Sequence, residues 1–180
     1  EVQRPGQAVC EQARELGLQC LQRTGNWNQL RRLDRPAVLQ LLAGDGRRVP
    51  VLLDGLTADR ARLQLDGQRL ELPLATLDRY WMGEYVLLWR SPIARELLRQ
   101  GDVTEDVTWL RRVLVEQGML GPVTGEGRYR FDAGLQQAVE QFQARQGLQQ
   151  DGVVGALTLI QLNNADRDNR APRLRAAGQG

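Results

Sequence analysis

Two thiols, Cys10 and Cys20, and a set of carboxylates are the side chains of this sequence that carry catalytic reactivity. The 180 residues contain no His, and no Lys occurs, so all 24 basic residues are Arg. Without imidazole, no Ser–His or Cys–His nucleophile pair can be built within the chain, and no His-containing zinc site. Without Lys there is no Walker lysine, no Schiff base and no pyridoxal anchor. Carboxylate chemistry, unassisted thiol chemistry and binding remain. The composition favours binding, with no metal and no cofactor expected.

The cysteine spacing has two readings. In one continuous helix, a ten-residue offset would separate the two Cα atoms by about 15 Å along the axis, beyond the roughly 7 Å reach of a disulfide. Val9, Ala13 and Leu16 follow helical spacing, but Gly17 can supply a left-handed cap and turn Leu18-Gln19-Cys20 back toward the helix start. A bridge is then feasible and points to an oxidising compartment; the alternative is a pair of reduced, buried thiols. Among the carboxylates, Glu84, read in a short Gly83-Glu84-Tyr85 turn, is the one candidate acid for a hydrolase that works with two carboxylates. Such an enzyme needs a second carboxyl about 5–9.5 Å away.

Apolar residues make up 42% and charged residues 26%, a globular composition with room for one domain or two small ones. The net charge is +2, and the pairs Arg31-Arg32, Arg47-Arg48 and Arg111-Arg112 sit next to acids rather than gathering into a basic arm. That argues against nucleic-acid binding. No run approaches the ~20 apolar residues of a membrane span, and no signal peptide is seen. The chain opens on Glu1 rather than Met, as a fragment of a longer protein would.

The elements that must position these residues fall into two regions. In the first, 36–42 and 49–53 read as strands joined by Ala43-Gly44-Asp45-Gly46, and 61–65 and 70–72 as strands joined by Asp66-Gly67. Pro50 suggests an edge or a bulge. A short helical stretch at 74–81 and a buried strand at 85–89 complete an antiparallel sheet preceded by one or two helices, an α+β arrangement. The second region is helical: Thr104 and Asp132 are placed to cap helices ended by Gly118 and Gly147, and a third short helix follows Gly155. Boundaries are expected at 1–92, 93–163 and 164–180, the last a polar tail, disordered or peripheral.

The succession DVTWLRRVLVEQGML (106–120) and YRFDAGLQQAVEQFQARQGLQQDGVVGALTLIQL (129–162) resembles the small three-helix peptidoglycan-binding domain of bacterial cell-wall proteins. On that resemblance Val139, Phe142 and Leu148 pack the core, and Gly152 and Gly155 allow the turn before the third helix. A peptidoglycan site needs polar donors and an aromatic face, for which Gln143, Arg145, Asp151, Thr158 and Tyr129 are the candidates, with Phe131 a further aromatic.

The first region, AVCEQARELGLQCL, GNWNQLRRLDRPAVLQL, the two hairpins and WMGEYVLLWRSP, resembles the degenerate C39-peptidase-like domain that precedes a peptidoglycan-binding domain in the general secretion pathway protein A (ExeA) family. The resemblance implies a papain-like scaffold, with Cys10 at the nucleophile position and Asp66 near the acidic one. The histidine position, near Arg48 or Val49, holds no imidazole. A dead protease scaffold is expected, with Cys10 tied to Cys20 rather than reactive. Trp27, Trp81 and Trp89 are core candidates. The resemblance further implies a periplasmic location, tethering by a membrane helix that this chain lacks, general secretion pathway protein B or another copy as partner, and a role in assembling the type II secretin across the wall.

Overall fold

The computed structural model describes residues 7–174. The chain divides into two compact units: residues 1–90 with 171–180, and residues 91–170.

The first unit is a six-stranded antiparallel sheet with three helices. Its elements are α1 (Gln7–Glu15), β1 (Gln19–Thr24), α2 (Trp27–Leu33), β2 (Ala37–Leu42), β3 (Arg48–Leu56), β4 (Arg60–Leu65), β5 (Gln68–Pro73), α3 (Leu74–Leu77) and β6 (Trp81–Trp89). The strand order is β1-β6-β2-β3-β4-β5. Mixed helix and antiparallel sheet, followed by a helical second unit, is the α+β architecture expected from the periodicity. Leu39, Leu53 and Ala61 supply the core from one strand each, and in β6 the adjacent Val86 and Leu87 are both fully buried, so the middle of that strand is covered on both faces. Asp66 and Gly67 both take positive φ, 49° and 77°, the twist that joins β4 to β5 through two residues.

Three local expectations change. Leu16 lies beyond the end of α1 and is 69% exposed; Ala13, within the helix, is 2% exposed. Pro50 sits on an inner strand, but β3 pairs with β4 only from Leu52 onward, so residues 48–51 overhang with β2 as their one partner. There Pro50 costs no ladder bond to β4. The register shift of β3 falls later, between Leu53 and Gly55. Finally, Gly83 and Glu84 are not in a turn. They lie within β6, where Tyr85 pairs with Leu39 but Trp81 with Leu41, so β6 bulges by two residues. Gly83 takes φ 90° there, which a side chain would resist. The bulge is braced by Trp81 Nε1 donating to the Glu84 carbonyl at 2.8 Å, and Trp27 packs on Trp81 with ring centroids 4.2 Å apart. Trp81 and Trp89 are buried, Trp27 half-buried.

The second unit holds α4 (Asp106–Glu116), a 3-10 turn at Gly125–Tyr129, α5 (Ala133–Gln146) and α6 (Ala156–Ala165). Val107, Leu110, Leu114, Leu135, Val139, Phe142, Leu159 and Leu162 are each at most 1% exposed, the i, i+3, i+4 stripes of three helices meeting in one core. Asp132 caps α5 by accepting the Leu135 N–H at 2.8 Å, and Gly147 ends it in the left-handed region, φ 66°. Thr104 sits one residue outside the helix it was expected to cap; Glu105 is the cap position, and Thr104 Oγ1 receives the Asp106 N–H at 3.4 Å.

The segment expected to be a polar tail has no helix or strand between 166 and 174, with two buried residues in it. Helix α6 runs to Ala165, Asp166 is buried, and Leu174 is buried. The remaining residues, 175–180, lie outside the described residues.

Candidate functional site

Helix α5 delivers Gln143 to the loop between Gly147 and α6, and this amide organises the loop. Gln143 is 1% exposed. Its Nε2 faces Asp151 Oδ1 and the Val153 carbonyl, both at 2.9 Å, and Thr158 Oγ1 at 3.2 Å. Its Oε1 accepts the Gly152 N–H at 3.0 Å. Asp151 Oδ1 also accepts the Val153 N–H at 2.9 Å, and that backbone bond, with the Gln143 bond adding to it, lowers the Asp151 pKa below the usual carboxylate range. Gly152, with φ 69°, runs so close to α5 that a Cβ would lie 2.6 Å from Gln136 Cγ.

Three of the five residues proposed from sequence, Gln143, Asp151 and Thr158, are therefore brought together, but as a fastener. Gln143 and Thr158 are buried and present no surface to a ligand; they hold the loop that displays exposed Asp151. Arg145, two positions after Gln143, points about 200° around the helix from it and is exposed. Tyr129 closes the 3-10 turn, half-buried, with the Arg128 guanidinium 4.5 Å from its ring centroid and donating to its hydroxyl. Phe131 is 1% exposed and belongs to the core, not to a sugar-stacking face.

Sequence reasoning missed two ion pairs that hold this unit together. Arg112 grips Asp166 through two bonds of 3.0 and 2.9 Å, and Trp109 Nε1 donates to the same carboxylate at 2.9 Å. Arg111, 5% exposed, donates to Asp132 Oδ2 at 2.6 Å and to the Arg130 carbonyl at 2.7 Å. Burial pushes the Asp132 and Asp166 carboxyls up, but the bonds from Leu135 and Arg111, and from Arg112 and Trp109, outweigh it and leave both pKa values lowered. No local pattern announces partners 54 residues apart, as Arg112 and Asp166 are.

In the sheet unit, Cys10 and Cys20 form a disulfide with Cα atoms 5.4 Å apart. It fixes α1 to the edge strand β1, and it removes the thiolate a nucleophile needs. Arg48 opens β3, three strands away, and its guanidinium pairs with the Glu84 carboxylate. Asp66 lies in the β4–β5 turn; at about 4.8 Å per strand it stands ~19 Å along the sheet from β1. Cysteine, histidine position and acid are thus spread across the sheet. Glu84 faces a guanidinium rather than a second carboxyl. Among the described residues no group of three or more Cys, Asp or Glu is arranged to hold a metal ion.

The disulfide has a measurable share in stability. Closing a loop of ten residues restricts the unfolded chain by about 3 kcal/mol, so the Cys10→Ser/Cys20→Ser double variant is expected to lower the urea midpoint of the sheet unit accordingly. A change under ~1 kcal/mol would show the bridge to be incidental.

The fold and these sites define a two-domain chain: a C39-peptidase-like sheet unit followed by a helical unit of the peptidoglycan-binding type. Residues 6–91 match the family described as GspA, peptidase C39-like domain, and residues 103–162 match the putative peptidoglycan binding domain family. The first region is thus a C39-like domain of the general secretion pathway protein A type. The chain is 32% identical over 158 residues to General secretion pathway protein A of Aeromonas hydrophila, covering 87% of this chain and 28% of that protein. It is 27% identical over 156 residues to the putative general secretion pathway protein A of Escherichia coli (strain K12), covering 86% of this chain and 31% of that protein. The chain thus spans less than a third of the length of these relatives. A periplasmic domain of the EpsAB fusion protein of the Vibrio vulnificus type II secretion system matches with a TM-score of 0.56 at 29% identity, over 89% of this chain and 79% of that one.

Proposed function

We propose that this chain is a non-catalytic, periplasmic, peptidoglycan-binding portion of a type II secretion assembly factor that helps to place the secretin in or across the cell wall. The observation that carries the reading is the succession, in one chain, of a GspA-type C39-like domain and a peptidoglycan-binding domain. The absence of His from the sequence and the engagement of Cys10 by Cys20 support a scaffold without protease activity. The pairing of Glu84 with Arg48 speaks against that carboxylate as a hydrolase acid. No helix among the described residues is long and apolar enough to cross a membrane, so tethering to the inner membrane would come from a helix outside this chain. General secretion pathway protein B or a second copy is the proposed partner of the sheet unit.

In this reading the helical unit meets the wall at exposed Asp151, on the loop that Gln143 and Thr158 hold in shape, and, on other faces, at exposed Arg145 and at Tyr129 as an aromatic contact. Purified chain is expected to sediment with peptidoglycan. Arg145→Ala is expected to weaken the binding about 5- to 10-fold while leaving stability within ~0.5 kcal/mol. Failure of the unaltered chain to sediment would refute wall binding; undiminished binding by the variant would move the contact away from Arg145.

A further inference from the structure

Arg35, in the link between α2 and β2, is 3% exposed. Its Nε and Nη2 are shielded from solvent and have no hydrogen-bond partner among the described residues. These two atoms form the side-on edge of a guanidinium, the edge that matches two oxygens at once. Three other arginines of the same unit use that edge. Arg60 sets Nε and Nη2 on the carboxylate and carbonyl of Glu71 at 2.9 and 3.0 Å, and Arg62 sets them on those of Asp54 at 2.7 and 3.2 Å. Arg31 directs both at the Thr57 carbonyl, at 3.2 and 2.8 Å. Of these four, Arg35 is the one whose edge is buried without a partner among the described residues.

Asp34, the adjacent acid, takes Arg173 Nη1 at 3.0 Å rather than Arg35. Burial, with Arg173 adding to it and Asp34 opposing, depresses the Arg35 pKa to about 10. Arg35 thus keeps its own charge in a shielded place, and a buried charge is retained at low cost when an opposite charge meets it.

We propose that Arg35 is the receptor of an anion site in the sheet unit, taking one carboxylate side-on against its Nε–Nη2 edge with Arg173 close by. The Asp34–Arg173 pair is about one-third exposed on both sides, and exposed pairs of this kind are weakly held, so opening it gives the carboxylate its way in. The carboxylate is that of a small organic acid or of an acidic side chain on a peptide, and the inference stands independently of wall binding.

The test is thermal unfolding of the full chain with increasing sodium acetate, or with acetyl-Ala-Glu-Ala-amide, against sodium chloride at equal ionic strength and against the Gln form of the peptide. Expected is a saturable rise of about 5 °C in the sheet-unit transition at tenfold excess over the dissociation constant. Arg35→Gln is expected to abolish the rise and Arg35→Lys, which keeps charge but not the fork, to reduce affinity at least fivefold. Acetate acting as well as the peptide identifies a small-acid site; at least tenfold preference for the Glu peptide identifies a peptide-reading site. Should Arg35→Gln fail to fold, the Arg Nε–H resonance lost in Arg35→Lys is followed in the unaltered chain, and acetate should shift it downfield. No rise beyond chloride, an equal rise in Arg35→Gln, or an unmoved Nε–H resonance overturns the proposal.

Discussion

Gly83→Ala is expected to destabilise the sheet unit by about 3 kcal/mol or more, because the added methyl meets backbone at a positive φ. The backbone at Gly83 has φ 90°, and a Cβ there would lie 2.5 Å from the Gly25 carbonyl oxygen. A flexible side chain can swing away from such a contact; a carbonyl held in the sheet cannot. The Gly25 N–H donates to the Gly83 carbonyl at 2.9 Å, so moving one strand apart from the other breaks the bond that positions both. Urea unfolding in a Trp109→Phe background measures this, because the other three tryptophans, Trp27, Trp81 and Trp89, all lie in the sheet unit. Gly44→Ala, where nothing lies within 4 Å and φ is ordinary, is the control and should stay within ~0.5 kcal/mol. Equal midpoints for the two variants would refute the bulge as a rigid feature.

Gln143→Leu is expected to cost the helical unit about 3 kcal/mol, since it removes the donor and acceptor that serve the buried Gly152 N–H, the Val153 carbonyl and Thr158. Hydrogen exchange at the Gly152 amide should accelerate by about two orders of magnitude, that free energy divided by roughly 1.4 kcal/mol per tenfold. Wall binding is expected to fall with it, through loss of loop shape. Arg145→Ala makes the contrast: weaker wall binding at unchanged stability. If Gln143→Leu leaves both the unfolding midpoint and the Gly152 exchange rate in place, the fastener is not one.

The sequence was most legible where one residue type has one local use. Asp66-Gly67 admits both positive φ values of a two-residue turn, and Asp132 followed by Leu135 has a cap's spacing; the structure has both. Gly83 misled because glycine serves turns and bulges alike, and only the pairing of β6 with β2 distinguishes them. Gln143, Asp151 and Thr158 were legible as a group but not in their role, because a polar side chain does not declare whether it faces water or a neighbouring backbone. The Arg112–Asp166 pair, the Trp109 bond to the same carboxylate and the burial of Arg35 carry no signal in local order at all. They are decided by which segments the core brings side by side.

The overhang of β3 bears on the fate of the chain before it reaches its working place. A strand stretch with one side unpaired is a template on which another molecule's strand can grow, the start of edge-to-edge aggregation. Here that stretch reads Arg48-Val49-Pro50-Val51. Pro50 offers no N–H to an incoming strand, and Arg48 adds a charge beside it, so an open end of the sheet is left that other copies cannot readily extend.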